Sequence, residues 1–122
     1  LNNAESTKVW VVGFSFGAFI ALNLLMRRPE IHNFIAISPP ADKYDFSFLA
    51  PCPVSGMIMQ GDNDDIVNET DVALFANKLD AQRSISIKYS KVKGADHFFT
   101  DKLDIVNNSI KKYVSKTLMA NT

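Results

Sequence analysis

A serine between two glycines is the first residue of this sequence whose setting suggests covalent chemistry. Ser15 lies in Gly13-Phe14-Ser15-Phe16-Gly17, which fits the pattern G-x-S-x-G, with an apolar run on either side. A strand, a tight turn and a helix in that order hold a serine on a sharp corner, where its hydroxyl is accessible. We expect glycine at positions 13 and 17 because a Cβ at either position would crowd the turn.

A serine hydroxyl becomes a strong nucleophile only when a base takes its proton, and a third group that orients the base improves it. His97, in a loop near the end of the chain, is the candidate base. The candidate acid lies in a cluster that follows an earlier apolar run and contains Asp62, Asp64 and Asp65. The Phe16 N–H would lie near the N-terminus of the following helix, where it could stabilise an oxyanion.

Each of these residues also has a purely structural interpretation. Ser15 could cap a helix, and His97 could be a solvated loop histidine. The acidic cluster could be a hydrated turn whose carboxylates face a helix N-terminus. His32, which no motif surrounds, serves as a comparison and is predicted to lie at the surface.

Apolar runs and helical patterns alternate along the chain. Strands are predicted over residues 8–13, 33–38, 54–60 and 84–89, and helices over residues 17–28, 70–79 and 100–118. This order predicts an α/β fold, with a parallel sheet of about four strands and flanking helices. The first strand and the first helix are apolar nearly all round, so we expect both to be covered. The last helix is expected to turn these residues toward the core: Leu103, Val106, Ile110, Tyr113, Val114 and Thr117.

The predicted topology brings the candidate residues together. Sites in open parallel sheets form beyond the carboxyl ends of the strands. Ser15, the acidic cluster and His97 each follow a different predicted strand, so they should converge on one edge of the sheet.

Composition narrows the range of partners. The chain has 122 residues, of which 13 are Lys or Arg and 13 are Asp or Glu, so a nucleic-acid or membrane-surface partner is not expected. The longest apolar run is too short to span a bilayer. Cys52, the single cysteine, is predicted to pack in a loop. A lone cysteine cannot form an internal disulfide, which favours a reducing, cytoplasmic location. No metal or nucleotide motif is visible, so no cofactor and no metal are expected.

Several motifs together resemble those of the α/β-hydrolase superfamily, and in particular its small bacterial dienelactone-hydrolase-like or serine-esterase-like group. They are Gly13-Phe14-Ser15-Phe16-Gly17-Ala18, Ser38-Pro39-Pro40, Met59-Gln60-Gly61-Asp62-Asn63-Asp64-Asp65-Ile66-Val67 and Gly94-Ala95-Asp96-His97-Phe98-Phe99. The resemblance covers nearly the whole chain but only the C-terminal half of such a fold, so residues 1–122 would form one partial domain. It implies a serine hydrolase that acts on carboxylic esters or thioesters of small molecules.

The resemblance also implies a role for individual residues. Ser15 would be the nucleophile and His97 the base. Spacing in similar proteins puts the catalytic carboxylate three residues after the glycine, which selects Asp64, with Asp65 as the alternative. Asp62 is expected to form the turn. Asp96 is not selected, because neighbouring side chains on a loop usually diverge.

Four phenylalanines flank the expected site: Phe14, Phe16, Phe98 and Phe99. They could line an apolar substrate pocket, to which Phe14 and Phe98 are assigned, or they could pack in the core.

The sequence departs from the family pattern in two ways. Dienelactone hydrolases proper use a cysteine nucleophile, and Ser15 in its place favours esterase chemistry. The first strands of the fold, with the loop that gives a second oxyanion donor, have no counterpart here. We therefore expect the chain to be the remainder of a longer protein. The alternative function is a truncated or catalytically silent fragment that self-associates through the edge of the strand predicted from Lys8 to Gly13.

Overall fold

The computed structural model describes residues 9–120. Lys8 and the polar connection predicted over residues 1–7 lie outside the described residues. The elements in chain order are β1 (Val9–Phe14), α1 (Phe16–Leu25), β2 (Ile31–Ile37), a single 3-10 turn (Ser47–Leu49), β3 (Gly56–Gly61), α2 (Glu69–Asp80), β4 (Ile87–Val92) and α3 (Leu103–Ala120).

The four strands form one parallel sheet in the order β1-β2-β3-β4. The predicted α/β class, with about four parallel strands and flanking helices, is therefore confirmed. Gly13 is paired with Ala36, and Met59 with Ser90, so the carboxyl ends of the strands share one edge. The loops that follow β1, β3 and β4 leave the sheet from that edge.

Alternate strand residues build a core on each face of the sheet. Phe34, Ala36 and Ile58 belong to the core that α1 and α2 cover. Ile35, Met57 and Met59 belong to the core on the opposite face, where Val106 of α3 packs. The sheet is therefore sandwiched between helices. Among residues 9–120, no helix has both the length and the apolar composition needed to cross a bilayer.

Several predicted boundaries were wrong. Helix α1 ends at Leu25, three residues before the predicted end. Strand β4 begins at Ile87 rather than at residue 84, because Ser84 adopts a left-handed turn conformation (φ 76°) and pairing with β3 begins only where Gly56 faces Ile87. Helix α3 begins at Leu103 rather than at residue 100, after Asp101, which also has a positive φ.

The predicted cover of β1 and α1 was also wrong. Phe16, Ile20 and Leu24 lie one turn apart on α1 and are 50%, 51% and 42% exposed. Strand β1 is an edge of the described sheet, and its Val12 is exposed. Helix α1 buries one face only, because no described element packs over the other. Leu103, predicted to face the core, is exposed at the start of α3.

Candidate active site

The turn between β1 and α1 holds Ser15 in an uncommon backbone conformation. Its φ of 56° is left-handed, and its N–H donates to the Ile37 carbonyl at 2.8 Å. A Cβ on Gly13 would lie 2.4 Å from the Gly17 carbonyl oxygen, so only glycine allows strand and helix to approach this closely. The same expectation for Gly17 was wrong: a Cβ there would meet no described atom within 4 Å.

The structure brings Ser15, His97 and Asp64 together at the carboxyl edge of the sheet. His97 Nε2 lies 2.9 Å from Ser15 Oγ, and His97 Nδ1 lies 2.8 Å from Asp64 Oδ2. A carboxylate can only accept hydrogen bonds, so the neutral His97 ring carries its proton on Nδ1. Nε2 then accepts from the Ser15 hydroxyl.

Asp64 is enclosed by hydrogen-bond donors, and its side chain has no exposed surface. Its Oδ1 accepts the N–H groups of Ile66 and Val67, each at 2.8 Å. Its Oδ2 accepts from His97 Nδ1 and from Gln60 Nε2, also at 2.8 Å. Burial raises the pKa of this carboxyl, but the four hydrogen bonds together outweigh burial and hold the pKa below its ordinary value.

The other carboxylates near the site have different partners. Asp65, the alternative acid, is exposed, and Asp64 takes the position next to His97. Asp62 accepts the Gly94 N–H and so ties the loop after β3 to the loop after β4. Asp96 accepts the N–H groups of Phe98 and Thr100 and the Thr100 hydroxyl, so it bonds within its own loop. These hydrogen bonds also hold the pKa of the Asp96 carboxyl below its ordinary value.

Two residues that contact this cluster were given no role in the site from the sequence. Ser38, fully buried after β2, donates its hydroxyl to the His97 carbonyl oxygen at 3.0 Å. Gln60, fully buried in β3, donates to Asp64. The available signal was a polar residue at the carboxyl end of each buried apolar strand, the edge where the site forms.

Glycine also sets the spacing of the two loops that carry Asp64 and His97. A Cβ on Gly61 would lie 2.3 Å from the Ala95 carbonyl oxygen. The same carbonyl oxygen accepts the Asn63 N–H at 3.0 Å. The loop after β3 is thereby fixed against the loop that carries His97.

The remaining predicted site residues lie around Ser15. Phe16 is the first residue of α1, so its N–H has no acceptor within the helix. The Phe14 ring lies 5.3 Å from the His97 ring and 5.9 Å from the Phe98 ring, measured between centroids. Phe14 and Phe98 are exposed beside His97, whereas Phe99 is buried in the core and therefore follows the structural interpretation.

Two residues set aside in the sequence have the environments expected for them. His32 is exposed on β2. Cys52 is buried in the loop before β3, and burial raises the pKa of its thiol. Among residues 9–120, no group of three or more His, Cys, Asp or Glu side chains is arranged to hold a metal ion.

Solved structures of other bacterial proteins resemble this chain in sequence and fold. A protein of unknown function from Agrobacterium tumefaciens, described as a candidate α/β hydrolase, is 46% identical with a TM-score of 0.91, and the match covers 94% of this chain and 53% of that one. A lidless α/β serine hydrolase from Xanthomonas campestris is 29% identical with a TM-score of 0.78, over 92% of this chain and 49% of that one.

A curated relative and a family model extend the comparison. An uncharacterised protein of Rickettsia prowazekii (strain Madrid E) is 52% identical over 117 residues, which are 93% of this chain and 49% of the relative. The chain thus spans about half the length of the relatives it matches. The model of the dienelactone hydrolase family matches residues 1–119, and the chain therefore belongs to that family.

Proposed function

We propose that this chain carries the nucleophile, base and acid of a serine hydrolase that acts on carboxylic esters or thioesters of small molecules. One observation carries the proposal: a continuous chain of hydrogen bonds from Ser15 Oγ through both nitrogens of His97 to Asp64, at 2.9 Å and 2.8 Å. Membership of a hydrolase family and similarity to serine hydrolases support it.

In the first half of the proposed reaction, Ser15 Oγ attacks the substrate carbonyl carbon while His97 Nε2 takes the hydroxyl proton. Asp64 stabilises the imidazolium that forms, and it stays ionised because its pKa lies below the ordinary carboxyl value. The tetrahedral intermediate then expels the alkoxide or thiolate, which receives the proton from Nε2. An acyl group remains on Ser15.

The second half of the reaction repeats these steps with water. His97 Nε2 takes a proton from a water molecule, and the oxygen attacks the acyl carbon. When the intermediate collapses, the proton returns to Ser15 Oγ and a carboxylic acid leaves. The Phe16 N–H would stabilise the oxyanion in both halves, as a donor at the start of a helix can.

Apolar substrate groups fit the surroundings of Ser15 best. The rings of Phe14 and Phe98 are exposed on the His97 side, and the Phe16 ring is exposed on the other. Phe16 also lies 5.4 Å from the Tyr44 ring. We propose Phe14 and Phe98 as substrate-binding residues. Their rings are exposed beside the base, and an apolar substrate group that packs on them would bury apolar surface and so bind favourably.

A fluorophosphonate probe tests the proposal, because it reacts with an activated serine and needs no knowledge of the substrate. The protein at its native length should gain one adduct, located on Ser15 by peptide mass mapping. The rate of labelling should rise between pH 5 and pH 8, where an imidazole base loses its proton. Ser15→Ala should abolish labelling, whereas Ser47→Ala, an exposed serine in the 3-10 turn, should not. Failure of the native protein to react would contradict the proposal.

A second candidate function is a catalytically silent, self-associating module. The exposed Phe16, Ile20 and Leu24 on α1, here called the α1 stripe, and the open edge of β1 favour it. Removal of one oxyanion donor costs on the order of 10²–10³ in rate, so a chain with the Phe16 N–H alone would hydrolyse slowly. An unlabelled Ser15 in a folded, associated protein is the outcome that would favour this candidate.

A further inference from the structure

Gln60 is a buried polar residue that contacts Asp64, the proposed catalytic acid, beside His97. It lies in β3, its side chain is fully buried, and every other residue of that strand is buried too. Its Nε2 donates to Asp64 Oδ2 at 2.8 Å and to the Gly61 carbonyl oxygen at 3.1 Å. Asp64 Oδ2 is also the atom that accepts from His97, so Gln60 and His97 share one acceptor.

The orientation of this amide is fixed by its neighbours. Its NH₂ group faces two acceptors, and a flipped amide would put Oε1 against a carboxylate and a carbonyl. In the present orientation Oε1 has no hydrogen-bond partner. Among residues 9–120 it is the only buried side-chain nitrogen or oxygen atom without one. An unpaired buried acceptor costs free energy, so burial by itself does not favour a glutamine over an apolar residue of the same length at this position. The contact with Asp64 is what an apolar residue could not supply.

We infer that Gln60 is a positioning residue for the proposed hydrolysis: it acts through Asp64, by sharing the negative charge of Oδ2, the atom that accepts from His97 Nδ1. The expected effect on rate rests on the proposed function. The effect of the Gln60 hydrogen bond on His97 does not, because the His97 ring signals can be followed by NMR whether or not the protein turns over substrate.

Because Gln60 and His97 donate to the same oxygen, the loss of Gln60 should change the proton affinity of His97 in one direction. Without Nε2, the charge on Oδ2 is stabilised by one donor fewer and attracts the imidazolium form of His97 more strongly. The pH at which His97 loses its proton should therefore rise. Since Gln60 is fully buried and reaches no substrate, its loss should lower kcat and leave KM unchanged.

Gln60→Met keeps the length of the side chain and removes the donor. In the protein at its native length, kcat should fall about tenfold at pH 7 with KM within about twofold. The acidic limb of the pH–rate profile and the pH midpoint of the His97 ring signals in NMR should both move up by roughly 0.3–1 unit. The charged side chains on the adjoining loops, Asp62, Asp65, Asp96 and Lys43, are unchanged in this variant, so the shift belongs to Gln60.

Gln82→Met is the matched control. Gln82 also makes two hydrogen bonds, in a region that does not contact the site. It donates to the Leu49 carbonyl oxygen and accepts the Cys52 N–H. Its replacement should lower thermal stability without moving the His97 midpoint.

The outcomes separate the two proposals. If Gln60→Met leaves the His97 midpoint unmoved, or lowers it, the inference about Gln60 is overturned even when the enzyme is active. If the midpoint rises but the wild-type protein neither turns over esters nor reacts with fluorophosphonate, the Gln60 contact stands and the serine-hydrolase proposal fails. If kcat falls only in proportion to a loss of folded protein, Gln60 is a packing residue and the inference is again overturned.

Discussion

The two sides of Ser15 differ in how fully the described residues enclose them. On the His97 side, the Asp64 side chain has no exposed surface, and four donors satisfy its carboxylate. On the α1 side, the α1 stripe is exposed and β1 is paired along one edge only. The hydrogen bonds of the Asp64 carboxylate are therefore all supplied within residues 9–120, whereas the apolar cover of α1 is not.

This difference predicts two kinds of sensitivity. Substitutions on the His97 side leave buried donors or acceptors without partners, which costs activity and stability. Substitutions in the α1 stripe replace exposed apolar side chains, so they should change association rather than folding. The predictions below test this contrast, beginning with the largest expected effect.

Asp64→Asn should have the largest effect on catalysis. An asparagine side chain keeps the volume but offers one acceptor oxygen where the structure has four donors, so two donors must face an NH₂ group. His97 would lose the partner that fixes its tautomer. We expect kcat to fall on the order of 10³–10⁴-fold, measured with an activated ester on the native-length protein.

Asp65→Asn is the control for that experiment. Asp65 adjoins Asp64 in sequence but is exposed, where solvent and salt screen its charge. It should leave kcat within about twofold. Equal losses in the two variants would show that the acid is not Asp64 alone, and the contrast between the two sides would lose its basis.

Substitutions on the α1 side should change the oligomeric state. In light scattering, the polypeptide Leu1–Thr122 should give a mass at least about twice the 13.6 kDa of one chain, because an open strand edge and an apolar stripe both promote association. The double substitution Ile20→Lys, Leu24→Lys should shift the mass toward that of one chain.

Leu74→Lys is the control for association, since Leu74 is at least as exposed as Ile20 and Leu24 but lies on α2. It should leave the mass unchanged. A wild-type polypeptide that stays monomeric at high concentration would be evidence against self-association through the β1 edge or the α1 stripe.

Most of the candidate site could be predicted from the sequence, and the contacts that hold it could not. Ser15, the acidic cluster and His97 follow strand ends in motifs a few residues long, and parallel pairing brings those ends to one edge. The choice of Asp64 within the cluster came from the family resemblance. Ser38 contacts a residue 59 positions away, through a loop conformation that no local pattern specifies. Gln60 looked like one more strand residue, because nothing in its own sequence neighbourhood reveals which acceptor its amide meets.

The fold class could be predicted from the sequence. The ends of the strands and helices, and the extent to which each is covered by others, could be predicted less well. Alternation of strand and helix patterns was enough for the parallel sheet. The start of β4 depends on where β3 begins to pair, and the Ser84 turn moved it by three residues. The exposure of Ile20 and Leu24 depends on which element packs outside α1, and an apolar pattern alone does not contain that information.

The smallest expected effect concerns the hydroxyl that holds the His97 loop. Ser38→Ala removes the donor to the His97 carbonyl and leaves that buried acceptor unpaired. We expect a loss of about 1–2 kcal/mol in the free energy of unfolding, measured by urea denaturation. Ser38 has a φ of 52°, which disfavours any residue with a Cβ. Ser38→Gly should therefore lose less stability than Ser38→Ala, although both lack the hydroxyl.

Ser55→Ala completes this test from a site away from His97. Ser55 Oγ accepts the Ser86 N–H at 2.9 Å in an exposed position, where water can replace the lost partner. Its loss should be below about 0.5 kcal/mol. If Ser38→Ala costs no more than Ser55→Ala, the buried hydrogen bond to His97 contributes little. The His97 side would then owe its stability to packing and to the Asp64 contacts rather than to the full set of buried hydrogen bonds.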